Sequence, residues 1–94
     1  MEFEWDEAKS DDTKARRGFG FDEVTPVFLD PDRVIFPDDR VPYGEERWIT
    51  FGLVEGRLFA VAYTRRGAAI RIISARKANS RERKRYDAQT DLQA

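Results

Sequence analysis

A chain of 94 residues, 40% apolar and 37% charged, is long enough for one hydrophobic core and too short for two, so one domain over residues 1–94 is expected. It has no cysteine and no histidine, which removes disulfides, thiolate nucleophiles, imidazole acid–base chemistry and the usual ligands of a transition metal. The formal net charge is −1, no apolar run approaches a membrane span, and MEFEWDEAK lacks the basic and apolar regions of a signal peptide, so a cytoplasmic protein with no membrane contact is expected.

Phe3 and Trp5 alternate with Glu2 and Glu4, giving a short opening strand within residues 1–5. Asp6 then caps a helix over Glu7–Arg17 that Gly18 stops. This helix is strongly polar, with Ala8 and Ala15 as its small apolar positions, and it is expected to lie on the surface between Trp5 and Phe19. A second helix over Asp22–Leu29 puts Val24, Val27 and Phe28 on one face, with Pro26 near its first turn, so residues 6–29 hold two helices. From Arg33 the apolar period becomes two. Val34 and Phe36 start a strand, a loop from Pro37 to Glu45 interrupts it, and runs over Arg47–Val54, Arg57–Arg65 and Ala69–Lys77 follow. Short turns at Glu55-Gly56 and Arg66-Gly67 make residues 33–77 an antiparallel meander. Asn79 or Ser80 caps a basic helix through residues 79–87, with Glu82 in capping-box position, and residues 88–94 read as a tail. The class is α+β, with helices on one side of an antiparallel sheet.

Charge is segregated along this chain. Arg65 to Tyr86 holds nine basic residues and one acid, whereas the remainder holds eight basic and seventeen acidic residues. Such a split presents a basic face to a polyanion or to an acidic protein. Strict alternation puts Ile70, Ile72, Ser74 and Arg76 on one face of the last strand and Arg71, Ile73, Ala75 and Lys77 on the other. Guanidinium groups fixed on strands at Arg65, Arg66, Arg71 and Arg76 suit phosphate, because the planar fork engages two oxygens at once, and Tyr63 stands nearby to stack a base. Trp5 and Trp48 read as core. Asp38-Asp39 and Glu45-Glu46 read as solvated pairs, and no metal site or cofactor fingerprint is present.

The residues Phe3-Glu4-Trp5-Asp6, Lys9, Gly18, Phe21, Val27-Phe28, Asp30-Pro31, Glu45-Glu46-Arg47 and Arg71-Ile72-Ile73-Ser74-Ala75-Arg76, followed by Glu82-Arg83 and Tyr86, resemble the BrnT toxins from about Phe3 to Tyr86. The resemblance implies a RelE-like fold and a ribonuclease toxin of a bacterial type II toxin–antitoxin system. Its partner would be a ribbon-helix-helix antitoxin of the BrnA kind, in a heterotetramer that reaches operator DNA only through the antitoxin. The sequence departs from the family pattern in having Thr13 where an asparagine is usual and Arg17 where a histidine is usual. Arginine stays protonated, so Arg17 can hold phosphate but cannot shuttle a proton.

With this resemblance, RNA cleavage without a metal would take charge stabilisation from Arg76 and Arg71. Arg65 and Arg17 would serve as clamps, Lys9 or Lys77 as proton donor or electrostatic helper, and Glu46 as base. Arg65, Arg66, Tyr63, Lys77, Arg81, Arg83, Lys84, Arg85 and Tyr86 would bind RNA or the antitoxin. The alternatives are a degenerate module of the same fold that binds nucleic acid or antitoxin without cutting, and an adaptor whose basic helix docks on an acidic protein.

Overall fold

The computed structural model describes residues 1–40 and 42–93, the last three by their backbone alone. Five strands form one sheet in the order β1-β5-β4-β3-β2, with β1 at Glu2–Trp5, β2 at Val34–Pro37, β3 at Trp48–Val54, β4 at Arg57–Arg66 and β5 at Ala69–Lys77. Strands β2 to β5 are the expected meander, but β1 runs parallel to β5, Phe3 beside Ile70 and Trp5 beside Ile72. The sheet is therefore mixed rather than antiparallel. Two apolar residues in a four-residue strand carry no sign of direction, which is why the sequence did not reveal it.

Helix α1 spans Glu7–Arg17 as the caps predict: the Asp6 carboxylate accepts the Lys9 N–H, and Gly18, at φ 89°, donates its N–H to the Lys14 carbonyl. Its buried positions are Ser10 and Thr13, whereas Ala8 and Ala15 are exposed. The burial is satisfied, because the Ser10 hydroxyl accepts the Phe21 N–H at 2.9 Å and the Thr13 hydroxyl donates to the Lys9 carbonyl at 2.9 Å. The second helix is a 3₁₀ segment, Phe21–Leu29. Three residues per turn stack Phe21, Val24 and Val27 in one column, and all three are fully buried against the sheet. Val27 comes so close to Gly52 of β3 that a Cβ there would lie 2.7 Å from Val27 Cγ1.

This packing forms the larger core, in which Phe19, Phe28, Phe59, Val61, Tyr63, Ile70, Ile72 and Ala75 join the 3₁₀ column. Tyr63 is 3% exposed, edge-on to Phe28 and stacked on Trp48, so it is core and cannot stack a base as the sequence reading had it. The β3–β4 turn has positive φ at both Glu55 and Gly56, the type I′ pattern whose twist matches the flanking strands.

Helix α2 spans Ser80–Gln93, longer than the helix expected to end at residue 87. What read as a tail is helical to Gln93, and its final residue lies outside the described residues. It sits against the other sheet face, where Tyr86 packs with Phe51, Leu58 and Ala60 in a second, smaller core. The helices therefore occupy both faces, not one. Tyr86 is 3% exposed and its hydroxyl donates to Asp30 Oδ2 at 2.6 Å, so this residue anchors α2 and is not an accessible binding residue. Burial pushes the Asp30 carboxyl up, but hydrogen bonds from Tyr86 and from the N–H groups of Leu53 and Asp32 outweigh it and hold its pKa below the ordinary value. Among the described residues no helix is long and apolar enough to cross a membrane.

Candidate functional site

The decisive local feature is a β-bulge in β5. Ala62 pairs with Ser74 but Tyr63 pairs with Ile72, so Ile73 is the extra residue. The bulge reverses the phase of the strand. Ile70, Ile72 and Ala75 all face the larger core, while Arg71, Ser74 and Arg76 all face the side of α2. Unbroken alternation, as expected from the sequence, would put Arg71 and Arg76 on opposite faces; the extra residue brings them together.

Opposed residues in a ladder share a face, so the register maps this side row by row. One row runs from Thr64 through Arg71 to Glu4. The next holds Phe36, Ile49, Ala62 and Ser74, and the third holds Val34, Phe51, Ala60 and Arg76. The loop between β2 and β3 continues the first row, since the Asp38 N–H donates to the Arg47 carbonyl at 2.7 Å and the Thr64 hydroxyl donates to the Glu46 carbonyl at 2.6 Å. Arg40, held by both oxygens of Asp38, stands near enough to Arg76 for the two charges to repel. Arg85 of α2 lies 3.8 Å over the Phe36 ring. The middle row, Ile49-Ala62-Ser74, is thus a shallow floor ringed by Arg40, Arg47, Arg71, Arg76 and Arg85.

Most of these cations carry a carboxylate from their own chain. Arg76 makes a bidentate pair with Glu82 at 2.7 and 2.8 Å, Arg40 pairs with Asp38 at 2.7 Å, Arg47 with Glu45 at 3.1 Å and Arg71 with Glu4 at 3.6 Å. The Glu82 hydrogen bonds raise the Arg76 pKa against burial and the Arg40 charge, and lower that of Glu82 in return. Glu82 also closes a capping box, accepting the Asn79 N–H at 2.9 Å while Asn79 Oδ1 accepts the Glu82 N–H at 2.8 Å. The start of α2 is therefore tied to the arginine that it covers. Asp38, expected to be solvated, has a side chain 1% exposed, because it orients Arg40 from beneath.

Lys9 and Arg17 reach Ser74 from the α1 side of the sheet. Beyond Trp5 the outer edge of β5 is left by β1, and there a cavity of about 360 Å³ is lined by Lys9, Asp12, Thr13, Arg16, Arg17, Phe21, Ile73, Ser74 and Ala75. The remaining expected residues are dispersed. Arg65 and Lys77 are exposed on the face of the larger core, Arg66 is exposed at the end of β4, and Glu46 is exposed in the loop. On α2, Arg81 and Lys84 are exposed and Arg83 pairs with Asp87 at 3.2 Å. Arg40 was missed in the sequence, and Arg47 entered only through the resemblance, with no role given to it. The signal available was the basic residue beside each of the acidic pairs Asp38-Asp39 and Glu45-Glu46.

Among the described residues no group of acidic side chains is gathered closely enough to hold a metal ion. Residues 5–82 match the family model described as the ribonuclease toxin, BrnT, of type II toxin–antitoxin systems. The chain belongs to the BrnT family. The matched segment contains Lys9, Arg17, Arg40, Arg47, Arg71 and Arg76 and ends at Glu82, so it spans nearly the whole arginine-ringed floor but not the Tyr86 anchor. The comparison with curated proteins gives no match. As a BrnT toxin the chain implies an antitoxin partner. Within this BrnT fold Thr13 is a buried helix residue, while Arg17 is exposed on the cavity that opens at Ser74.

Proposed function

We propose that this chain is a metal-independent endoribonuclease whose cleavage site is the floor at Ser74, with Arg71 and Arg76 on the scissile phosphate. The observation that carries this is the bulge at Ile73, which sets the two guanidinium groups on one face with the exposed Ser74 between them. A phosphodiester laid there meets two planar forks fixed on one strand and takes the place of the carboxylates that they hold in the free protein. The 2′-oxygen forms a bond to phosphorus as the bond to the 5′-oxygen breaks, leaving a 2′,3′-cyclic phosphate. Arg71 and Arg76 stabilise the charge that grows on the phosphoryl oxygens, and Lys9, on the cavity at Ser74, donates the proton that the 5′-oxygen takes. Arg17 clamps the next phosphate. The 2′ proton passes to solvent; Glu46, in the loop on the far side of Thr64 from Arg71, is not asked to take it.

In this reading the fold is RelE-like and the protein is cytoplasmic. Silencing is by a ribbon-helix-helix antitoxin of the BrnA kind in a heterotetramer, whose acidic segments take the same arginines. The second reading, a module that binds without cutting, is favoured by the own-chain carboxylates on Arg40, Arg47, Arg71 and Arg76. The test is end-labelled single-stranded RNA in excess chelator with partner-free protein, wild type beside Arg76→Ala. Fragments ending in 2′,3′-cyclic phosphate from the wild type alone are expected. Bound but intact RNA establishes the second reading, and equal cleavage by both proteins removes Arg76 from the mechanism.

A further inference from the structure

The loop between β2 and β3 borders an open cavity of about 420 Å³ lined by Tyr43, Glu45, Glu46, Arg47 and Trp48, with Asp39 also in its lining. It is built rather than incidental. The Arg47 guanidinium lies 3.9 Å over the Tyr43 ring and bonds Glu45, Trp48 is stacked on the core residue Tyr63, and Thr64 holds the Glu46 carbonyl. Arg47 and Asp38 belong to both this cavity and the row that contains Arg71. Two strand spacings, about 10 Å, separate that stretch of loop from Arg71. This is comparable with the reach from a phosphate to the far edge of its own base.

The cavity is apolar and aromatic on its walls, and it brings in carboxylates. Arg47 gives its Nε to Glu45 and its guanidinium face to Tyr43, whereas the carboxylates of Asp39 and Glu46 make no ion pair among the described residues. A carboxylate has two oxygens that only accept. Uracil sets one N–H between two carbonyls, and adenine and cytosine set an amino group beside a ring nitrogen that also accepts. Guanine alone offers two adjacent donors, N1–H and the 2-amino group, matching the two oxygens of one carboxylate. We infer that this cavity is a base subsite that takes an unstacked guanine, with Glu46 reading its N–H edge and Tyr43 and Trp48 flanking the ring. The inference rests on the ribonuclease reading for its place in the reaction, since it makes guanine the base next to the cut.

The test uses the whole chain, free of partner, titrated separately with 5′-GMP, 5′-IMP, 5′-AMP and 5′-UMP while the Trp48 indole N–H is followed by NMR. Inosine keeps the N1–H and lacks the 2-amino group, so it isolates the second donor. GMP is expected to bind about ten-fold or more tightly than IMP, the discrimination of a good bidentate contact, and Glu46→Gln is expected to abolish that preference. Equal affinity for all four nucleotides, or no shift of the Trp48 signal, overturns the subsite whether or not RNA is cut. A preference for GMP that survives in Glu46→Gln overturns the role given to Glu46. Guanine-selective binding with RNA left intact keeps the subsite and removes the ribonuclease reading. Cleavage without guanine beside the cut, from a protein that does not select GMP, does the reverse.

Discussion

Replacing Glu82 by glutamine should make the protein less stable and at the same time a better RNA binder. Glu82 holds Arg76 through two hydrogen bonds of 2.7 and 2.8 Å, and the side chains are 17% and 41% exposed. Breaking a buried pair costs about 3–5 kcal/mol and an exposed pair at most about 1. With Arg76 this open to solvent, the value belongs near the lower end, about 1 kcal/mol, because glutamine still accepts the Asn79 N–H. For a domain of this size that is a drop in Tm of about 5 °C. The charge removed is the one a substrate phosphate must displace, so RNA affinity should rise about five-fold, the same free energy read in the opposite direction. Anisotropy with labelled RNA at fixed salt and thermal unfolding by circular dichroism measure the two effects. The pH dependence supplies a check of sign. Arg76 depresses the Glu82 pKa, so the contribution of the pair is complete above the unfolded carboxyl value and is lost as pH falls through the depressed one. The Tm gap between wild type and Glu82→Gln should therefore be full at neutral pH and close below about pH 4. RNA affinity that falls together with Tm would refute the reasoning, and would mean that Glu82 aims Arg76 rather than competing for it.

Gly52→Ala should cost about 1–3 kcal/mol or more in urea unfolding, because the new methyl meets the Val27 carbonyl oxygen at 2.9 Å as well as Val27 Cγ1, and backbone cannot swing aside; an unchanged midpoint would contradict the close approach. Tyr86→Phe removes the donor to a charged acceptor, worth about 1.5–3 kcal/mol. The loss should show as faster amide exchange in α2 while protection in β3 to β5 persists, and uniform loss of protection would contradict a locally anchored helix. RNA affinity should fall with salt, and Arg71→Ala should flatten the log–log slope by about 0.7, the value for one phosphate on a single strand. An unchanged slope would take Arg71 off the phosphate.

The boundaries of α1 were legible because Asp6 and Gly18 punctuate a polar run, and the meander was legible because glycine-bearing turns separate residues of period two. What escaped was governed by tertiary fit. Ser10 and Thr13 are buried through hydrogen bonds that no apolar period announces, and α2 persists to Gln93 through a buried Tyr86 in an otherwise polar segment. Tyr63 beside a cluster of arginines read as a ligand platform, although its alternation with Phe59 and Val61 already aligned it with the core. The bulge carries no glycine or proline to mark it. The site was therefore known by residue type, as arginines on the last strand, but not by arrangement. Arg40 and Arg47 stood in a polar loop whose path depends on Asp38 being buried.

The irregularity at Ile73 also bears on how the sheet finds its pairing during folding. Strand β5 must mate with β4 on one side and β1 on the other, and a slip of two positions in an uninterrupted strand leaves every side chain on its own face. An extra residue breaks that translational symmetry. Only one alignment of β5 on β4 places Ile72 against Tyr63 and Ala75 against Val61 with the surplus residue between them. The same irregularity that gathers the arginines thus acts as a registry mark, and a strand paired without it would turn either Ala75 or the Ile70 and Ile72 pair away from the larger core.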